Sequence, residues 1–178
     1  MKPALVVIDM IKGNEPFFRE THRRIIPNIK KTIERCRKLG IPVIYANDSY
    51  MESDWIFNFM KKHAIRGTEG VEVIDELKPE MGDIVIEKRR FSAFFRTDLD
   101  ITLRELGIDT VLLAGINTHV CVLATAFDAV SSDFNVILLE DCCASHKEEI
   151  HEFITKKFKG MPAFKVLSSE EFFSEFSG

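Results

Sequence analysis

Six short apolar runs, rich in β-branched residues, recur along the chain. Residues 4–8 (A-L-V-V-I) are the first; similar runs fall at 42–46, 83–87, 110–115 and 134–139, with a weaker one at 163–167. A run without polar alternation is the pattern of a strand covered on both faces. Between the runs the period becomes helical. Ile25, Ile26, Ile29, Ile33, Cys36 and Leu39 mark a helix over 21–39, which Gly40 stops before Pro42 opens the next strand. A second helix is expected over 97–106, with Thr97 as N-cap, Asp98 in the first turn and Gly107 as the stop. Others are expected over 118–131 and 147–159, and a short one over 168–173. This alternation predicts a single α/β domain over 1–178, with a doubly wound, mainly parallel sheet of about six strands. The connection from 47 to 82 breaks the rhythm. A long loop at the carboxyl edge of such a sheet is usually functional, so it is read as an active-site wall with a short helix near 71–77.

Four of the segments end on chemically capable side chains. A-L-V-V-I-D ends at Asp9, P-V-I-Y-A-N-D at Asp48, D-I-V-I-E-K at Lys88, and T-V-L-L-A-G-I-N-T-H-V-C at Cys121. Parallel strands share one carboxyl edge, where ligands bind, so a carboxylate, an ammonium and a thiol are expected to converge there. Cys121 opens an apolar helix, whose positive end favours ionisation below the usual thiol pKa of about 8.5. Gly115 permits a tight turn, and Thr118 is placed to cap the helix, leaving free N–H groups to stabilise an oxyanion. The plainer alternative for Cys121 is a core cysteine. For Asp9 the alternatives are a brace for a cap or loop and a working carboxylate, since a buried carboxylate needs a partner. Lys88, followed by Arg89 and Arg90, reads either as a solvated basic run or as the partner of Asp9 and Cys121.

The remaining candidates are weaker. Asp48 and His63 are metal ligands by type, but two ligands make an incomplete site. His119, two residues before Cys121, is a candidate base or substrate contact. Of Phe91, Phe94 and Phe95, one or two are expected to line the pocket, Phe91 first.

Composition narrows the field. Hydrophobic residues make up 46% and charged residues 29%, with a net charge of −4, an ordinary soluble globular balance with no sign of a nucleic-acid binder. No run approaches the roughly 20 apolar residues of a membrane span, and M-K-P-A-L-V-V-I-D is too short and too acidic at its end for a signal peptide. Cys36, Cys121, Cys142 and Cys143 lack paired zinc spacing and make a poor disulfide framework, so a reduced, cytoplasmic setting is expected.

The segments V-V-I-D-M, H-A-I-R-G-T-E-G, K-R-R-F-S-A-F-F-R-T-D-L, G-I-N-T-H-V-C-V and T-A-F-D-A follow one another over nearly the whole chain. They resemble the isochorismatase-like cysteine hydrolases, which include nicotinamidases, N-carbamoylsarcosine amidases and isochorismatases. The resemblance implies a three-layer α/β/α fold and a triad of Asp9 as general base, Lys88 as electrostatic partner and Cys121 as nucleophile. It also implies a cis peptide between Ile116 and Asn117, an oxyanion hole from the amides of Asn117 and Cys121, and a homo-oligomer; substrate contacts are expected at Phe91, Asn117 and His119. Three features depart from nicotinamidases. Tyr50 stands where the first metal-binding His belongs, Met60 where a Trp stacks the pyridine ring, and M-I-K-G-N follows Asp9 in place of the usual Gln and nearby Phe. No cofactor is therefore expected, and a metal at Asp48 and His63 is doubtful. The function expected is hydrolysis of a small amide through a thioester. The alternatives are a nicotinamidase proper, vinyl-ether hydrolysis, which would leave Cys121 idle, and a non-catalytic binding or assembly homologue, against which the retained triad argues.

Overall fold

The computed structural model describes residues 1–176. Its strands are β1 (Pro3–Ile8), β2 (Val43–Asp48), β3 (Ile84–Lys88), β4 (Thr110–Ile116), β5 (Asn135–Ala144) and β6 (Phe164–Leu167). They form one sheet in the order β3-β2-β1-β4-β5-β6, with every pairing parallel. The chain builds outward from β1 through β2 to β3, then crosses back and builds outward through β4, β5 and β6. The reversal places a crevice between the carboxyl ends of β1 and β4, the position where such sheets bind ligands.

Both faces of the sheet are covered. In β1, Ala4, Val6 and Ile8 face a core shared with Leu99, Leu103, Val122, Ala126 and Ala129. Leu5 and Val7 face the other core, built with Ile29, Ile33, Cys36, Phe172 and Phe173. A strand with two buried faces has no polar positions to alternate, which accounts for the uninterrupted run. The helices that supply these faces are α1 (Glu20–Arg24), α2 (Ile26–Lys38), α3 (Leu99–Glu105), α4 (Leu123–Ser131), α5 (Glu148–Phe158) and α6 (Ser169–Phe176).

Several boundaries differ from the sequence pattern. The helix expected over 21–39 divides at Ile25 into α1 and α2, with Pro27 in the first turn of α2, where its missing N–H costs nothing. The helix expected from 97 begins at Leu99, although the Thr97 hydroxyl does accept the Leu99 amide at 3.2 Å. The short helix near 71–77 is two 3-10 turns, Glu69–Val71 and Asp75–Leu77. Strand β5 continues past 139 to Ala144. Glu140 and Asp141 interrupt its apolar run at the point where the β4–β5 register shifts, and Cys142, Cys143 and Ala144 are buried beyond it. Among the described residues, no helix is long and apolar enough to cross a membrane.

Candidate active site

The local backbone explains why the side chains meet. Asp9 follows the last residue of β1 with φ of 56°, in the left-handed region that a non-glycine residue adopts at a cost of order 1–3 kcal/mol. Its amide donates to the Ala46 carbonyl at 3.2 Å and its carbonyl accepts from the Asn14 side chain at 3.0 Å, so the turn is held on both sides. Next door, Gly115 in β4 has φ of 116°, and a Cβ there would lie 2.1 Å from the Ile8 carbonyl oxygen. Glycine lets β4 approach β1 where the crevice begins. Strands β2 and β3 pair Asp48 directly with Lys88.

Lys88 is the hub. Its side chain is fully buried, and Nζ lies 2.5 Å from Asp48 Oδ1, 2.9 Å from Asp9 Oδ2, 3.2 Å from the Arg90 carbonyl and 3.7 Å from Cys121 Sγ. Asp9 Oδ1 accepts the Asp48 amide at 2.8 Å. Asp9 Oδ2 has its ion pair with Lys88 but no well-aligned hydrogen bond, although it is buried. A lone pair is therefore left on a buried oxygen in the same cluster as the thiol.

The charges are uneven, two carboxylates to one ammonium. Burial and the neighbouring Asp48 raise the pKa of Asp9 to about 6 against the pull of Lys88. Burial works against the charge of Lys88, but Asp48 and Asp9 outweigh it and hold its pKa well above the usual lysine value. Burial also pushes the Cys121 thiol well up, with Asp9 and Asp48 adding to the effect and Lys88 opposing it. The expectation of a depressed Cys121 pKa is thus corrected. Desolvation outweighs the pull of the lysine, which favours the protonated sulfur in this buried cluster.

The turn that carries Cys121 also differs from expectation. Thr118–Val122 form a wide π turn leading into α4, with Asn117 at the N-cap position. Thr118 does not cap the helix. Its hydroxyl instead bonds His151 Nδ1 on α5 at 2.9 Å, tying the turn to a neighbouring helix. The amides of Val120 and Val122 both donate to the Asn117 carbonyl, while that of Cys121, between them, does not. The Ile116–Asn117 peptide is cis. Thr125 accepts the Ala93 amide at 3.0 Å and donates to the Cys121 carbonyl at 2.7 Å. One hydroxyl thereby joins the F-S-A-F-F segment after Lys88 to the T-A-F-D segment after Cys121.

A cavity of about 390 Å³ opens above this cluster. Asp9, Asp48, Cys121, Phe91 and Asn117 line it, as do Tyr50, Met60 and His63 from the 47–82 loop. His119 is not part of the lining; its Nδ1 pairs with Ser145 Oγ at 2.9 Å and its ring lies against His146. Phe94 packs against the core and Phe95 is exposed. The segment 14–22 adds Asn14, Phe17, Phe18, Arg19 and His22, none of which the sequence pattern had singled out. His22 did leave a trace. It continues the buried stripe of Ile25, Ile29, Ile33 and Cys36, an unusual place for imidazole. A larger cleft, about 810 Å³, lies around the opposite ends of the strands near Thr110, Asn135 and Phe164, and holds none of the candidate residues.

The donor set does not fit a metal. Among the described residues, the one grouping of three metal-ligating side chains is Asp9, Asp48 and Cys121, and the Lys88 ammonium already contacts all three. His63 stands apart, with Nδ1 against the Lys61 carbonyl and its ring packed edge-on to Tyr50 and Phe17. Burial raises the Tyr50 phenol far above its ordinary pKa, so it remains neutral and a poor substitute for imidazole.

Comparison with known proteins places the chain in a family and a fold. The family model described as the isochorismatase domain matches residues 3–171. The chain is 34% identical to an isochorismatase-like hydrolase from Alkaliphilus metalliredigens, with a TM-score of 0.93 over 99% of this chain and 100% of that one. It is 36% identical to N-carbamoylsarcosine amidase from Thermoplasma acidophilum, with a TM-score of 0.86 over 96% and 98% of the two chains. The uncharacterized isochorismatase family protein YwoC of Bacillus subtilis is 31% identical, over 98% of this chain and 94% of its own.

Proposed function

We propose, on the premise that this chain belongs to the isochorismatase domain family and is a hydrolase, that it cleaves the C–N bond of a small amide or ureido compound through a Cys121 thioester. The observation that carries this reading is a buried Asp9 whose Oδ2 is ion-paired to Lys88 but accepts no hydrogen bond, in one cluster with the Cys121 thiol. Similarity to an N-carbamoylsarcosine amidase supports the amide class.

In the first step Asp9 takes the proton from Cys121 Sγ as the sulfur attacks the substrate carbonyl carbon, and the carbonyl electrons move onto oxygen. Donors at Asn117 and Cys121 receive that oxyanion. When the C–N bond breaks, Asp9 returns its proton to the departing nitrogen, leaving the thioester and a neutral amine or ammonia. Water then attacks the thioester carbon while Asp9 takes one of its protons, the C–S bond breaks to release the acid, and Asp9 passes that proton to the departing sulfur, which restores the thiol. Lys88 stays charged throughout. Its role is to keep two neighbouring carboxylates compatible and to stabilise the sulfur as its charge develops. An Asp9 pKa near 6 suits a group that must both take and return a proton near neutrality.

Ammonia release from a panel of small carboxamides and ureido acids tests this function. The wild type should turn over at least one, with Cys121→Ala inactive and a thioester mass adduct trapped on Cys121. Full turnover by Cys121→Ala would overturn the reading.

A further inference from the structure

His22 lines the cavity and is buried, yet the proton transfers above do not use it. Both of its ring nitrogens are engaged. Nδ1 accepts the backbone N–H of Arg19 at 3.0 Å, and Nε2 lies 2.8 Å from Asn117 Oδ1. A nitrogen that accepts an N–H carries no proton of its own, so Nδ1 is bare and the ring is neutral. Burial favours the neutral ring, as do the nearby His146 and Arg19, against the bond to Asn117. The single proton of a neutral imidazole must then sit on Nε2 and point at Asn117. Only an oxygen accepts it, which settles the orientation of the Asn117 carboxamide. Oδ1 faces His22 and the Nδ2 amide end is turned away. No protein group among the described residues accepts from Nδ2, and it is not sealed from solvent, while Asn117 lines the cavity.

We infer that His22 is a positioning residue that holds the Asn117 carboxamide with its N–H donors toward the substrate, so that this wall of the cavity selects a hydrogen-bond acceptor. The inference rests on the hydrolase reading for its effect on turnover but not for its geometry. A substrate would meet it with a carbonyl or carboxylate oxygen other than the one attacked. His22 is thereby excluded as the general base, because its one proton and its one lone pair are both committed within the protein. The arrangement also ties the Arg19 backbone, at the start of α1, to the residue that begins the Cys121 turn.

Paired variants separate the two bonds of the ring. Glutamine places its amide nitrogen near the position of Nε2, whereas asparagine reaches only the position of Nδ1. His22→Gln should keep kcat/KM within about 3-fold of wild type, while His22→Asn and His22→Ala lose about 10-fold or more, chiefly in KM. Asn117→Asp, which still accepts from His22 but replaces the donor with an oxygen, should lose at least about 10-fold, also in KM. Melting temperatures are compared so that a folding defect is not taken for a lost contact. Independently of activity, 15N-edited NMR of the imidazoles at pH 7.5 should show His22 protonated on Nε2, with that resonance moving in Asn117→Ala. A His22→Gln as poor as His22→Ala, a fully active Asn117→Asp, or a His22 protonated on Nδ1 would each overturn the inference. If no amide were hydrolysed, or if Cys121→Ala kept its activity, the hydrolase reading would fall and the NMR result would still decide the role of His22.

Discussion

Asp9 and Cys121, backed by the buried Lys88, form the cavity floor on or beside strands that cross the whole core, whereas Phe17, Met60 and Phe91 form its rim on connecting segments. The three floor residues are at most 8% exposed, while the three rim residues are between 36% and 51% exposed. Lys88 is paired with Asp48 across β2 and β3 and contacts both Asp9 and Cys121, the Asp9 amide bonds Ala46, and Thr125 bonds the Cys121 carbonyl. The rim is joined to the body by fewer ties. Lys12 meets Glu69 and Glu72, Ile11 bridges Val73, and Arg89 pairs with a buried Asp54 whose pKa that hydrogen bond lowers to about 2. On the proposed reading, the buried floor would set the reaction and the rim of aromatic and thioether side chains would set what enters.

Floor substitutions should therefore reduce kcat and rim substitutions should raise KM. The largest contrast is expected between two adjacent cations. Lys88→Ala should lower kcat/KM by about 10³-fold or more, since it leaves two buried carboxylates without a counter-charge. Arg89→Ala should stay within about 5-fold, because its partner braces the rim and Arg89 itself is exposed. Lys88→Arg should also fail, since the guanidinium does not fit a point-charge site. Equal losses at the two positions, measured as kcat/KM with circular dichroism confirming the fold, would erase the distinction.

Next in size is the pH response of the floor. Asp9 must be ionised to accept the thiol proton, and its pKa is raised to about 6. The kcat/KM profile should accordingly fall as pH drops through about 6, approaching tenfold per unit below it. An acid limb near 4, the ordinary carboxylate value, would show that burial does not raise Asp9, and an Asp9→Asn variant that kept both its activity and the limb would show that Asp9 is not the base.

Rim effects should be smaller. Phe91→Ala and Met60→Ala are expected to raise KM by about 3- to 10-fold with kcat nearly unchanged. A kcat loss as large as that of Lys88→Ala would mean that these side chains help to place the reacting carbonyl. The smallest effect is expected from metal removal. Dialysis against a strong chelator should leave turnover within about 2-fold, because Lys88 supplies the positive charge that a metal would bring to Asp9, Asp48 and Cys121. Activity lost with the metal and restored by zinc, iron or manganese would show that Asp48 and His63 recruit an ion after all.

Strand positions were legible in the chain because each two-faced strand must be apolar throughout, and such runs stand out without any knowledge of the fold. Asp9, Asp48 and Lys88 were legible as polar residues placed where those runs stop, and Cys121 as a thiol just beyond a glycine turn. Glu140 and Asp141 show the limit of that pattern, because their polarity concealed a strand that continues through a register shift to Ala144. His22 shows a second limit. Its place in a helical apolar stripe marked it as buried, but nothing in the local pattern showed that its partner is Asn117, 95 residues away. The Cys121 pKa shows a third, since the helix end that favours ionisation is a local feature while the burial that opposes it belongs to the assembled core. Periodicity and the endpoints of apolar runs are properties of neighbouring residues, so the sequence alone determined the elements and which side chains reach the carboxyl edge. Pairwise distance, desolvation and the direction of a hydrogen bond depend on residues far apart in the chain, so only the tertiary structure decided that Lys88 bridges two carboxylates, that burial raises the Cys121 pKa, and that His119 turns toward Ser145 while His22 faces the cavity.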